Sequence, residues 1–247
     1  MPNRQSKPIM FEATRPVLVD ARNTTKSYIA IYSVIKEFSH RNPESVIELL
    51  IPNSKGMLHD IATWCETTGN KLIGSEFSSD GGTEDIHVVI QKGVRTGIDQ
   101  EGERGREKKM TVVISTADLD YVVPPLDKAL AGKVLGMDVS VVFEGAGVKL
   151  LKNGYRATRS GLFGNFRTSS IETSLTNSGS PLPSEGITML KELGAKFYVC
   201  GPSMEANGVR QEELVVEHSI VGSTVTWVSL LEHSGVNVFS KAKFDTP

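Results

Sequence analysis

Cysteine is nearly missing from this chain: 247 residues contain two, Cys65 and Cys200. A disulfide-stapled scaffold is excluded, because such frameworks need a dense set of cysteines at short spacings. Each cysteine is therefore a free thiol, either core filler or a reagent. An excess of one charge is missing too. Twenty-seven basic residues stand against 29 acidic ones, a formal net charge of −2. Such a chain has no strong field with which to hold a polyanion, so nucleic acid is not an expected partner. No apolar run approaches the ~18–20 residues of a membrane span. The first ten residues carry no charged-then-apolar signal pattern, and the expected location is the cytoplasm. The glycine patterns of phosphate loops, nucleophile elbows and dinucleotide folds are absent. Gly145-Ala146-Gly147 is too short to stand for a nucleotide site. The five histidines are scattered. His59 and Cys65 lie in one helical pattern without a second pair at ligand spacing, so no metal is expected, and no other cofactor.

What is present is apolar periodicity in two blocks. Arg95–Lys109 (RTGIDQEGERGREKK) is charged, glycine-containing and aperiodic, which is a linker composition. It separates a first domain at 14–93 from a second at 110–247, with residues 94–109 as linker. In the first, Pro16–Arg22 suits a short strand and Ser27–Phe38 has helical spacing. Val46–Ile51 is a strand run closed by Pro52-Asn53-Ser54, and Gly56–Thr67 is a second helix stopped by Gly69-Asn70. Lys71–Phe77 and Ile86–Gln91 read as paired strands around Asp80-Gly81-Gly82. The expected fold is a two-layer β-α-β-α-β-β sandwich.

The second block alternates strand and helix. Met110–Ser115, Val139–Phe143, Lys196–Cys200, Ile220–Gly222 and Val236–Phe239 are apolar strand runs. Val122–Leu135, Ser184–Leu193 and Thr224–His233 suit helices, and Pro124 and Pro125 are acceptable in the first of these only within its opening turn. This alternation predicts a parallel sheet covered on both faces, a three-layer α/β domain. Residues 153–183 are rich in Gly, Ser, Thr and Asn. They read as a disordered insert, or as a lid with Arg156, Arg159 and Arg167 as anion contacts; the composition fits the insert better.

Ligands of such sheets bind off the carboxyl ends of the strands. Three ends carry polar or small residues: Ser115-Thr116, Glu144-Gly145 and Cys200-Gly201-Pro202-Ser203. Cys200 closes the run KFYVC before a turn that can open a helix, with Ser203 as a plausible N-cap. Free amide donors and a partial positive charge at a helix start favour thiolate over thiol. Gly201 leaves the sulfur uncovered, Ser203 is placed to hydrogen-bond it, and Ser115, Thr116 and Gly145 form the expected pocket wall. A buried, inert cysteine is the alternative. Cys65 follows Trp64 on an amphipathic helix and reads as core.

Two resemblances rest on these residues. The segment from Lys109 to Pro247, and above all LKELGAKFYVCGPSMEANGVRQEELV followed by IVGSTV, resembles the DsrE/DsrF-like family of sulfur-relay proteins. That resemblance implies a flavodoxin-like fold, assembly into trimers or hexamers, and a persulfide-carrying role for Cys200. The first domain resembles TusA (SirA-like) sulfur carriers in VDAR (Val19–Arg22), DIATWCETTGNKL (Asp60–Leu72) and HVVIQKG. It departs from them at one place. Those carriers set Cys-Pro-x-Pro at the start of the first helix, whereas this chain has Lys26-Ser27-Tyr28-Ile29. An amine cannot hold a persulfide, so the first domain is expected to dock or assemble rather than carry sulfur, unless Lys26 binds an anionic partner or a sulfur oxyanion. The combined expectation is a sulfur-relay protein, a possible sulfurtransferase, with Cys200 as persulfide carrier and thiol-bearing donor and acceptor proteins as partners. The alternative is a non-catalytic scaffold or binding module of a sulfur-metabolism complex.

Overall fold

A computed structural model of the chain describes residues 16–78, 84–94, 108–159 and 164–241. The loop at Asp80-Gly81-Gly82 and the centre of the expected linker lie outside the described residues. Within them the first block forms β1 (Val17–Asp20), α1 (Ser27–Ser39), β2 (Val46–Pro52), α2 (Lys55–Thr68), β3 (Lys71–Ser78) and β4 (Asp85–Gln91). The strands make a four-stranded sheet in the order β1-β2-β4-β3. β1 runs parallel to β2, and β4 is antiparallel to both β2 and β3. Alternation sorts the side chains: Ile47, Leu49, Ile51, Ile86, Val88 and Ile90 are fully buried, as expected for a sheet with one face packed against helices. Ile31, Val34 and Phe38 of α1 and Met57, Ile61, Trp64 and Cys65 of α2 supply the buried helix stripes. Ser54 caps α2 by accepting from the Met57 amide at 3.2 Å, and Gly69 ends it with a φ of 75°.

The second block forms β5 (Lys109–Ile114), α3 (Leu119–Val134), β6 (Asp138–Phe143), α4 (Gly164–Asn177), α5 (Pro183–Glu192), β7 (Lys196–Cys200), α6 (Gly201–Ala206), β8 (Ile220–Gly222), α7 (Thr224–Glu232) and β9 (Val236–Phe239). Its five strands lie in the order β8-β7-β6-β5-β9, and every pairing is parallel. One face, with Val112, Ile114, Val141, Phe143, Phe197 and Val199, joins the main core. The other, with Val113, Val142 and Tyr198, is covered by Trp227, Leu230 and Leu231 of α7. Tyr198 and Trp227 meet edge to face, with ring centroids 6.2 Å apart. The architecture is the parallel three-layer one that the strand–helix alternation predicts, and the flavodoxin-like one that the resemblance implies.

Two expectations need correction. Residues 153–183 are not a structureless insert, because α4 occupies much of the segment. Its polar composition hides the spacing of Thr168, Ile171 and Leu175. Thr168 is buried, and Ile171 and Leu175 pack on the core. The helix Val122–Leu135 begins earlier, at Leu119, so Pro124 and Pro125 fall in its second turn. The start is set by Asp118, whose carboxylate accepts from the Asp120 amide at 3.1 Å. The prolines forfeit two intrahelical bonds there, and burial of Pro125 offsets part of that loss.

The two sheets share one continuous apolar core, and α1 forms the seam between them. Lys26 precedes α1 and has its ammonium 3.0 Å from Asp127 of α3. The buried Tyr28 donates its hydroxyl to the other Asp127 oxygen at 2.5 Å. One turn further along, Tyr32 donates to Glu192 of α5, and Lys36 lies 3.5 Å from the same carboxylate. At the head of α1, Thr24 donates to the Gly179 carbonyl at 3.0 Å and the Thr25 amide to the Ser178 carbonyl at 3.0 Å. Burial, with the Asp127 hydrogen bond, pushes the Tyr28 phenol well above its usual range, so it stays protonated and donates. A cation at a helix start is mildly unfavourable, and Asp127 offsets this for Lys26. Asp127→Ala leaves the buried Tyr28 hydroxyl without an acceptor. It is expected to lower unfolding stability by about 1–3 kcal/mol, with Asp127→Asn losing less because it still accepts; urea denaturation of the full chain measures both.

Candidate functional site at the strand ends

A parallel sheet brings all its strand carboxyl ends to one edge. The register pairs Ile114 with Phe143, Phe143 with Val199, and Cys200 with Gly222. The next residues along, Ser115, Glu144 and Cys200, therefore stand in a row on neighbouring strands, roughly 4.8 Å apart. By strand alternation all three belong to the face that carries Val113, Val142 and Tyr198. Cys200 packs against that cluster while remaining partly exposed.

Cys200 ends β7 and is itself the cap residue of α6, with φ −75° and ψ 111°. Pro202 sits in the first turn, where its missing amide costs nothing. This corrects the expectation for Ser203. The helix starts two residues before it, so Ser203 is inside α6 and does not cap it. Its hydroxyl instead accepts from the Gly145 amide at 2.9 Å. Asn207, just past α6, donates to the Gly145 carbonyl at 3.1 Å and to the Ser203 carbonyl at 2.8 Å. These bonds fasten the thiol-bearing turn to the 3-10 helix Gly145–Leu151 that follows β6. Gly145 has a φ of 51°, and a Cβ there would meet the Ser115 carbonyl at 2.8 Å, so glycine is required on both counts. Gly201 differs. A Cβ would meet Val221 at 3.4 Å, an ordinary contact, so neighbouring atoms do not demand glycine there.

The remaining wall residues are already engaged. Ser115 donates its hydroxyl to Glu144 at 2.8 Å, and its amide donates to Ser240 at 2.8 Å. Thr116 accepts from the Asp118 amide at 3.1 Å, which makes it part of the turn into α3. Glu144 stands at one of the three strand ends named from the sequence but was given no role, and Asn207 was not singled out. The signal for Glu144 was its place directly after an apolar strand; Asn207 had none, since its partners lie across the fold.

Of the four cations expected as anion contacts, the three whose side chains are described pair with carboxylates of the same chain. Lys26 pairs with Asp127. Arg156 pairs with Glu172 of α4, its Nε 2.7 Å from Oε1, and Arg159 pairs with Asp120 of α3 at 2.7 Å. The Arg167 side chain lies outside the described residues. Among the described residues no group of three or more His, Cys, Asp or Glu is arranged to hold a metal, and no helix is long and apolar enough to cross a membrane.

The DsrE/DsrF-like family matches residues 108–237, more than half of the sequence and nearly all of the parallel-sheet block. The chain belongs to the DsrE/DsrF-like family. That family is associated with sulfur relay. No curated protein matches the sequence. Among solved structures, a formyltetrahydrofolate deformylase from Pseudomonas putida KT2440 aligns at 15% identity over 63% of this chain and 58% of its own, with a TM-score of 0.16. A similarity that low carries no argument about fold or function.

The two thiols of this family member are unequal. Cys65 is 2% exposed, and burial, helped by Glu66, pushes its thiol up to about 11. Iodoacetamide at pH 8 is expected to label Cys200 at least about tenfold faster than Cys65, because alkylation needs an accessible thiolate. The Cys65 rate should climb about tenfold per pH unit until the pH nears its raised value. Peptide mass spectrometry after timed quenching resolves both rates.

Proposed function

We propose that the protein is a sulfur-relay carrier that holds sulfane sulfur as a persulfide on Cys200. The observation that supports this most directly is the position of Cys200. It is partly exposed at the carboxyl end of β7, on the turn into α6, within the part of the chain that matches the family. The chemistry needs no redox partner. Cys200 thiolate attacks the outer sulfur of a donor persulfide; a new S–S bond forms at Cys200, the donor S–S bond breaks, and the donor leaves as thiolate. An acceptor thiolate then attacks the outer sulfur of the Cys200 persulfide and releases Cys200 thiolate. Ser203, Gly145 and Asn207 hold the turn in place, and Glu144 and Ser115 line the row beside it.

The first block is read as a TusA-like fold that has given up carriage for docking, with 14–93 and 110–247 as the two domains. Support comes from Lys26. It stands where the carrier cysteine of TusA proteins would stand, and its ammonium faces Asp127 of the same chain rather than solvent alone. The proposed partners are donor and acceptor proteins with reactive thiols, and a homo-oligomer, trimeric or hexameric, is proposed from the family likeness.

Incubation with polysulfide or a persulfidated donor is expected to add about 32 Da, one sulfur atom, to the intact chain. The adduct should map to Cys200, vanish on mild reduction and be lost in Cys200→Ser. A wild-type chain that takes no sulfur from any donor while Cys200 alkylates normally would overturn the reading.

A further inference from the structure

Away from the thiol edge, a cleft of about 590 Å³ lies at the seam between the two blocks. Ile35 and Phe38 of α1 and Trp64 of α2 line one side, and Lys133 and Val134 of α3 and Leu193 line the other. The volume is in the range of small-molecule sites, which are mostly apolar with a few polar groups that fix orientation. Three polar observations accompany the apolar walls. Among the described residues the Lys133 ammonium makes one long hydrogen bond, to the Gly194 carbonyl at 3.4 Å, and burial pulls it below the usual lysine range. Lys92, also on the wall, donates to the Phe38 carbonyl at 2.6 Å and to the Arg41 carbonyl, leaving one of its three protons for another acceptor. The indole N–H of Trp64 is buried without an acceptor among the described residues, a state that costs free energy. The wall thus carries two ammonium groups, and none of its described lining residues is acidic.

We infer that this cleft binds an amphipathic anion, an apolar body ending in a single carboxylate, with its head at Lys133 and its body against Phe38, Trp64 and Leu193. Such a ligand touches both blocks at once, so its binding favours the closed seam. It also adds an anion beside a cation that burial and nearby Lys196 disfavour and that Asp138 supports only in part.

The probe is decanoate, read through Trp64 fluorescence in a full-length Trp227→Phe background, since the chain has two tryptophans. Decanoate is expected to shift Trp64 emission saturably, with one site per chain. Lys133→Met should weaken it at least about tenfold, while Lys133→Arg retains it. Decanol should bind Lys133→Met and the parent alike. Ser39→Phe, which narrows the cleft from an exposed position, should weaken both probes and shows that the signal comes from this cleft even if Lys133→Met proves unstable. Cys200→Ser should change none of these results, which keeps the inference separate from sulfur transfer. Unchanged Trp64 emission with decanoate below its micelle concentration, or equal decanoate affinity in a folded Lys133→Met, would overturn it.

Discussion

Everything at the strand-end edge depends on the parallel register of the five-stranded sheet. Because Phe143 sits opposite both Ile114 and Val199, the residues that follow these strands cannot scatter. They emerge as Ser115, Glu144 and Cys200 side by side. A shift of one residue in β7 would turn Cys200 to the opposite face. The apolar sorting of the strand forbids that shift, since Phe197 and Val199 must enter the main core while Tyr198 meets Trp227. The thiol is thus placed by the packing of its neighbours along the strand, and its own chemistry contributes nothing to where it stands.

The same economy explains the turn. A helix that begins at Gly201 leaves Cys200 as its cap, with no side-chain oxygen occupying the free amides. Had Ser203 opened the helix, its hydroxyl would have been spent on those amides. Being inside α6, it is spent on Gly145 instead, and Asn207 closes the other side of that contact. A six-residue helix is too short to be stable alone. It holds its place because these cross-connections tie it to the loop after the neighbouring strand.

Local features of the chain were legible before any coordinates. The strand runs, the glycine stop at Gly69, the parallel alternation and the isolated position of Cys200 each depend on a short stretch of sequence, and periodicity reads short stretches well. What was hidden depends on distant partners. Asp127 and Lys26 are 101 residues apart, and nothing in either neighbourhood marks them as a pair. Helix α4 was hidden differently: its few apolar positions lie among serines and threonines, so composition outweighed spacing. The early start of α3 was signalled by Asp118, but two prolines drew the boundary too late.

The seam also bears on how sulfur could move. In the proposed TusA-like reading, residue 26 stands where a two-domain carrier would pass sulfur from one block to the other, and here it is a lysine held by Asp127, with Tyr28 on the same carboxylate. The other cysteine, Cys65, is sealed in the core with its ionisation suppressed. Neither position can exchange sulfur with Cys200 while the fold is intact. In the relay reading, then, both transfers must cross the molecular surface, the donor and the acceptor each approaching the strand-end edge from outside. The extended core and the polar stripe along α1 act against the alternative of a hinged internal relay, because opening the seam would expose the Tyr28 hydroxyl, Asp127 and the apolar flank of α1 together. In that reading the first block contributes rigidity and surface, and the exchange itself is confined to one thiol.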